Sequence, residues 1–62
     1  MDWENKIKKL RNKLCITQVE LAEMLGIAFI SVNRYENGKS TPTMKVRRQL
    51  NKLFLENGIG DE

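Results

Sequence analysis

The chain has 62 residues, with 11 basic and 8 acidic groups, 40% hydrophobic residues, a single Cys and no His. That length holds one small domain and excludes doubly wound α/β folds and barrel enzymes. The missing His and solitary Cys exclude imidazole catalysis, a histidine-ligated metal, a Cys-rich zinc site and an intrachain disulfide.

The net charge of +3 is unevenly spread. Residues 1–16 carry five basic and two acidic groups, residues 17–38 one and three, and residues 39–62 five and three. A polyanion would meet its cations at the two ends, whereas the middle has to act through shape and specific contacts. No apolar run approaches the ~20 residues of a membrane span, and the first residues lack the apolar stretch of a signal peptide. With the unpaired Cys15, the expectation is a cytoplasmic protein with no membrane partner.

Trp3, Ile7, Leu10 and Leu14 recur at helical spacing, with Lys6, Lys8, Lys9, Asn12 and Lys13 on the other faces. This predicts an amphipathic helix from Trp3 to Lys13 or Leu14, capped by Asp2. Thr17, three residues before Glu20, predicts a capping box, with Ile16 placed to staple onto Leu21. The helix it opens runs from Gln18 to Leu25, with Leu21, Ala22 and Leu25 inward, and Gly26 stops it. A third helix spans Phe29 to Glu36 with Val32 and Tyr35 inward, and Asn37-Gly38 ends it. After the polar loop 39–42, Thr43 caps a fourth helix reaching Leu55 or Glu56. Its inward positions are Met44, Arg47 or Val46, Leu50, Leu53 and Phe54, and Asn57-Gly58 closes it. The expected architecture is all-α: a compact bundle of four helices, possibly five, over residues 1–56, with 57–62 a flexible tail.

Two short helices joined by a tight turn containing Gly form the helix-turn-helix pattern. Ala22 has to be small where the second and third helices cross. Gly26 supplies a backbone that a Cβ would strain. Ile27 fills the space under the turn, and Val32 packs back onto Leu21 and Leu25.

The runs Thr17-Gln18-Val19-Glu20-Leu21-Ala22, Leu25-Gly26-Ile27 and Val32-Asn33-Arg34-Tyr35-Glu36-Asn37-Gly38-Lys39, followed by Pro42, resemble the Cro/phage-repressor-type helix-turn-helix family. The resemblance covers Ile7 to Phe54. It implies sequence-specific binding to duplex DNA, usually as a homodimer on a palindromic operator, with the third helix in the major groove.

It also implies roles for particular residues. Phe29, Ile30, Asn33 and Arg34 would meet base edges: Arg34 a guanine, Asn33 an adenine, and Phe29 and Ile30 thymine methyl groups. Adjacent helix residues point about 100° apart, so one of Phe29 and Ile30, not both, is expected in the groove. Thr17, Gln18, Asn37, Lys39, Thr41 and Thr43 would hold phosphates, helped by helix N-termini. Arg11 and Glu36 would tie the first helix to the third, while Ala22, Gly26 and Val32 shape the motif.

Four positions depart from the family pattern. Cys15 stands where Gly often ends the first helix, and the turn is expected to close differently there. Ala28 replaces a Ser or Thr N-cap, forfeiting about 1 kcal/mol. Arg47 and Asn51 replace apolar or small positions, and a longer fourth helix takes the place of the fifth, through which the family commonly dimerises.

The leading functional reading is a DNA-binding transcriptional regulator of prokaryotic or phage type, repressing by operator occupancy, without cofactor, metal or small-molecule ligand. One alternative is the DNA-targeting module of a larger protein such as a restriction–modification enzyme, or an antitoxin. Another is a protein-interaction bundle that does not bind DNA. No nucleophile, base or metal constellation supports an enzyme.

Overall fold

A computed structural model describes residues 3–59. Those residues form four helices and no strand: α1 (Trp3–Leu14), α2 (Gln18–Leu25), α3 (Phe29–Glu36) and α4 (Met44–Glu56). The expected Asp2 cap lies outside the described residues.

The apolar spacing of each helix decides what it buries. Trp3, Ile7 and Leu10 come from α1, Leu21, Ala22 and Leu25 from α2, Val32 and Tyr35 from α3, and Val46, Leu50 and Phe54 from α4. They form one cluster, with Leu14, Ile16, Ile27 and Leu53 packed at its margin. The Trp3 and Phe54 rings meet at 6.1 Å, tying the start of α1 to the end of α4. Arg47 lies over the outer side of Trp3 and Lys6 over Phe54, so cations cover the edges of this aromatic pair.

Two expectations change, and one alternative is resolved. Met44 is not inward but 65% exposed. The buried register of α4 starts at Val46, and two residues earlier the helix has turned about 200° away. Val46, not Arg47, takes the inward position, and Arg47 instead donates from Nε to the Pro42 carbonyl at 3.0 Å. Ile59, placed by the sequence reading in a tail, is only 5% exposed and belongs to the core. Its N–H donates to the Phe54 carbonyl at 2.7 Å, folding the chain back over the end of α4.

All four helices end alike, on a residue in the left-handed region. Three of these residues are glycines, Gly26, Gly38 and Gly58; the fourth is Cys15, at φ 57°. In each case the next residue reaches back five positions: Ile16 to Arg11, Ile27 to Ala22, Lys39 to Arg34 and Ile59 to Phe54. The turn at Cys15 therefore closes as a glycine turn would, contrary to expectation. The two backbone bonds it completes, Cys15 to Asn12 and Ile16 to Arg11, satisfy carbonyls that α1 leaves open. No helix among the described residues is long and apolar enough to cross a membrane.

Candidate nucleic-acid interface

α2 and α3 pack against each other, and the small Ala22 of α2 is buried. Gly26, at φ 70°, turns the chain between them. The start of α2 carries the full capping box: Glu20 N–H donates to the Thr17 hydroxyl at 3.1 Å, and Thr17 N–H donates to Glu20 Oε1 at 2.9 Å. Neither bond involves the N–H groups of Gln18 and Val19, whose positions in the first turn have no intrahelical partner. α3 starts differently. Ala28 has the extended backbone of an N-cap but no side-chain bond, as its missing hydroxyl requires. Thr43 heads α4 with the same backbone and also makes no side-chain cap bond.

The far end of α3 is anchored by a buried carboxylate. Glu36 is 3% exposed. Arg11 of α1 holds it with a two-pronged bond, Nε to Oε2 at 2.5 Å and Nη2 to Oε1 at 2.9 Å. Gln18 of α2 donates from Nε2 to Oε1 at 3.1 Å. Burial pushes the Glu36 carboxyl up. The hydrogen bonds from Arg11 and Gln18, with the charges of Arg11 and Lys8, outweigh that and hold it below its ordinary value. The Glu36 bond in turn raises Arg11. The expected pairing of α1 with α3 is present, and Gln18 adds α2 to it.

From Gln18 the polar chain continues. Gln18 Oε1 accepts from Asn33 Nδ2 at 3.2 Å. Asn33 Oδ1 accepts from Asn37 Nδ2 at 3.2 Å, and the same Nδ2 donates to the Asn33 carbonyl at 2.8 Å. Sequence reasoning places Gln18, Asn33 and Asn37 at an interface but misses that they are bonded to one another. Their separations of 15 and 4 residues carry no signal of this until α2 and α3 cross.

The outer side of α3 is open. Phe29 is 47% and Ile30 52% exposed, and Arg34 is exposed with them, whereas Asn33 is half-buried. Both apolar residues are exposed. The buried side of α3 begins at Val32, so its first turn lies ahead of the packing. Thr17, Asn37, Lys39, Thr41 and Thr43 are exposed, and Gln18 is half-buried. Val19 and Met24 are exposed on α2. At Gly38 the φ of 71° favours glycine, and a Cβ there would stand 2.8 Å from Glu4 Oε1 of α1, the end of an exposed side chain that would have to move aside.

The helix-turn-helix family model matches residues 7–54. An HTH-type transcriptional regulatory protein of Pyrococcus furiosus is 39% identical over 51 residues, which are 82% of this chain and 16% of that protein. The HTH-type transcriptional activator BcrR of Enterococcus faecalis is 32% identical over 54 residues, 87% of this chain and 26% of that protein. The chain thus spans about a sixth and a quarter of the lengths of these relatives. No solved structure matches the chain.

Proposed function

The chain belongs to the helix-turn-helix family, and from that premise we propose that it is a sequence-specific duplex-DNA-binding module of a transcriptional regulator. The observation that carries the proposal is the division of α3. Its C-terminal end is locked to α1 and α2 through Glu36, while Phe29, Ile30 and Arg34 stand exposed.

A helix held rigidly on one side and open on the other fits the major groove. Arg34 presents a fork to guanine, and Phe29 and Ile30 present apolar surface to thymine methyl groups. Thr17, Gln18, Asn37, Lys39, Thr41 and Thr43 flank the groove-facing side and meet the phosphates. The uncommitted N–H groups at the starts of α2 and α4 add to them. Arg34 and Lys39 are the only cations among residues 17–39, so discrimination rests mainly on fit.

Dimerisation through α4 is the second part of the proposal. Leu55 is 83% exposed, and a shallow groove between α2 and α4 is lined by Met24, Leu25, Gln49, Lys52, Leu53 and Glu56. Occupancy of an operator by such a dimer would repress. The small share of the relatives' lengths that the chain spans also favours a targeting module within a longer protein, where the rest of the chain sets the direction of regulation.

The test is selection of bound duplexes from a randomised library at two salt concentrations, followed by sequencing. A palindromic consensus with half-sites about one helical turn apart supports the dimer. A single half-site supports a monomeric module. No enrichment at low salt refutes DNA binding and leaves an interaction bundle.

A further inference from the structure

We infer that Asn33 is a positioning residue that fixes the phosphate-holding amide of Gln18, and that it does not read an adenine. The inference rests on the DNA reading above and deepens it, because it decides which side chains of α3 carry sequence information.

The two ends of the polar chain set its polarity. Glu36 is a carboxylate and only accepts, so the Gln18 atom facing Oε1 has to be the Nε2 donor. That turns Gln18 Oε1 toward Asn33, which must then present Nδ2. Asn33 Oδ1 is left to face Asn37. At the far end Asn37 Nδ2 also faces the Asn33 backbone carbonyl, which again only accepts. Both ends impose the same polarity, so no amide in the series can flip without placing like poles together.

Two consequences follow. Bidentate recognition of adenine needs the Oδ1 and Nδ2 edge of an asparagine presented together to the base. In Asn33 each of these atoms already makes one bond inside the protein, one to α2 and one to the cap of α3, so the amide edge is held toward those partners rather than presented whole to a base, and the residue is half-buried. Gln18, by contrast, has two hydrogens on Nε2 and gives one to Glu36. The other can go to a phosphate oxygen. Asn33 and Glu36 grip the Gln18 amide from opposite poles, so it meets the phosphate already oriented and loses little side-chain freedom on binding. Base reading then falls to Phe29, Ile30 and Arg34.

The test compares the parent with Asn33→Ala, Gln18→Ala and the double variant. Each is put through duplex selection, and its affinity for the parent's consensus is then measured. Asn33→Ala is expected to select the same consensus as the parent and to bind it about fivefold more weakly, the scale of one lost hydrogen bond. In the Gln18→Ala background the further loss should be under about twofold, because the residue it positions is already gone. Side-chain amide resonances of the DNA-free proteins give a readout that needs no DNA. The Gln18 NH2 pair should be ordered in the parent and mobile in Asn33→Ala, with the backbone spectrum otherwise retained.

Relaxed preference at one A·T position in Asn33→Ala would overturn the inference while leaving DNA binding intact. So would a full, additive loss in the double variant, or an unchanged Gln18 amide. A parent chain that enriches no duplex would overturn the DNA reading and, with it, any phosphate role for Gln18.

Discussion

The two ends of α3 are built on opposite principles. At its C-terminal end Glu36 is buried and bonded to α1 and α2, and Gly38 closes the helix against Glu4. At its N-terminal end Ala28 gives no cap, and two apolar side chains stand half in solvent. The first arrangement contributes stability and orientation. The second leaves stabilising bonds unmade and keeps side chains accessible. A short helix can serve as a reader because these tasks fall to different residues: rigidity enters through Glu36 and recognition leaves through the exposed Phe29, Ile30 and Arg34.

Removing Glu36 should break the anchored end most severely. Glu36→Ala leaves the Arg11 guanidinium and the Gln18 amide without their acceptor. The expected destabilisation is about 3 kcal/mol or more, a large part of what a domain this small possesses. Urea unfolding would read it. The same carboxylate makes stability pH-dependent. Its folded value lies below the unfolded one, so its contribution is present above the unfolded pKa of ~4.3 and is lost as pH falls through the folded value. Acid unfolding of Glu36→Gln should therefore be flatter over that range than the parent's. An identical pH profile would show that the pair does not anchor α3.

The exposed readers should respond in the opposite way. Arg34→Ala is expected to lower affinity for the selected duplex by about 1–3 kcal/mol and to relax one base pair, with unfolding midpoints unchanged. Undiminished binding in a gel-shift titration would remove Arg34 from the readers.

Giving the open end a cap sharpens the contrast. Ala28→Ser should raise stability by about 1 kcal/mol, seen as a higher thermal midpoint. No gain would mean that the first turn of α3 is already satisfied by other groups.

The smallest effect belongs to the end of α1. Cys15→Gly relieves a left-handed backbone that costs a side-chain-bearing residue about 1–2 kcal/mol. It also frees the unfolded chain, so the net gain should be about 0.5 kcal/mol. Differential scanning calorimetry on the two proteins would show it, and a loss would mean that the Cys15 side chain contributes more than its backbone costs.

The limits of all four helices were legible because each depends on residues close in sequence. Thr17 and Glu20 make their capping box within one turn, and Gly26, Gly38 and Gly58 take the left-handed turns that only local sterics demand. Cys15 misled for the same reason. Its type argues against a left-handed turn, yet the backbone bonds from Cys15 and Ile16 to the end of α1 hold it there. Ile59 misled because a lone apolar residue after a helix end carries no periodicity, and only the face of α4 onto which the chain folds decides its burial. Of the candidate interface, the exposed residues could be placed from helical spacing and family position. The pairing of Arg11 with Glu36 was implied by the resemblance.

By itself, then, the sequence determined helix limits, most of the apolar core and family membership, since these follow from short-range sterics and from spacing along the chain. The crossing of α2 over α3 decided the rest. It brought Gln18 between Glu36 and Asn33, residues 18 and 15 positions away. It gave those amides their polarity and left Phe29, Ile30 and Arg34 as the open side of the helix. Hydrogen bonds between side chains form only where folding has set donor and acceptor about 3 Å apart, and no local pattern in the chain encodes that distance.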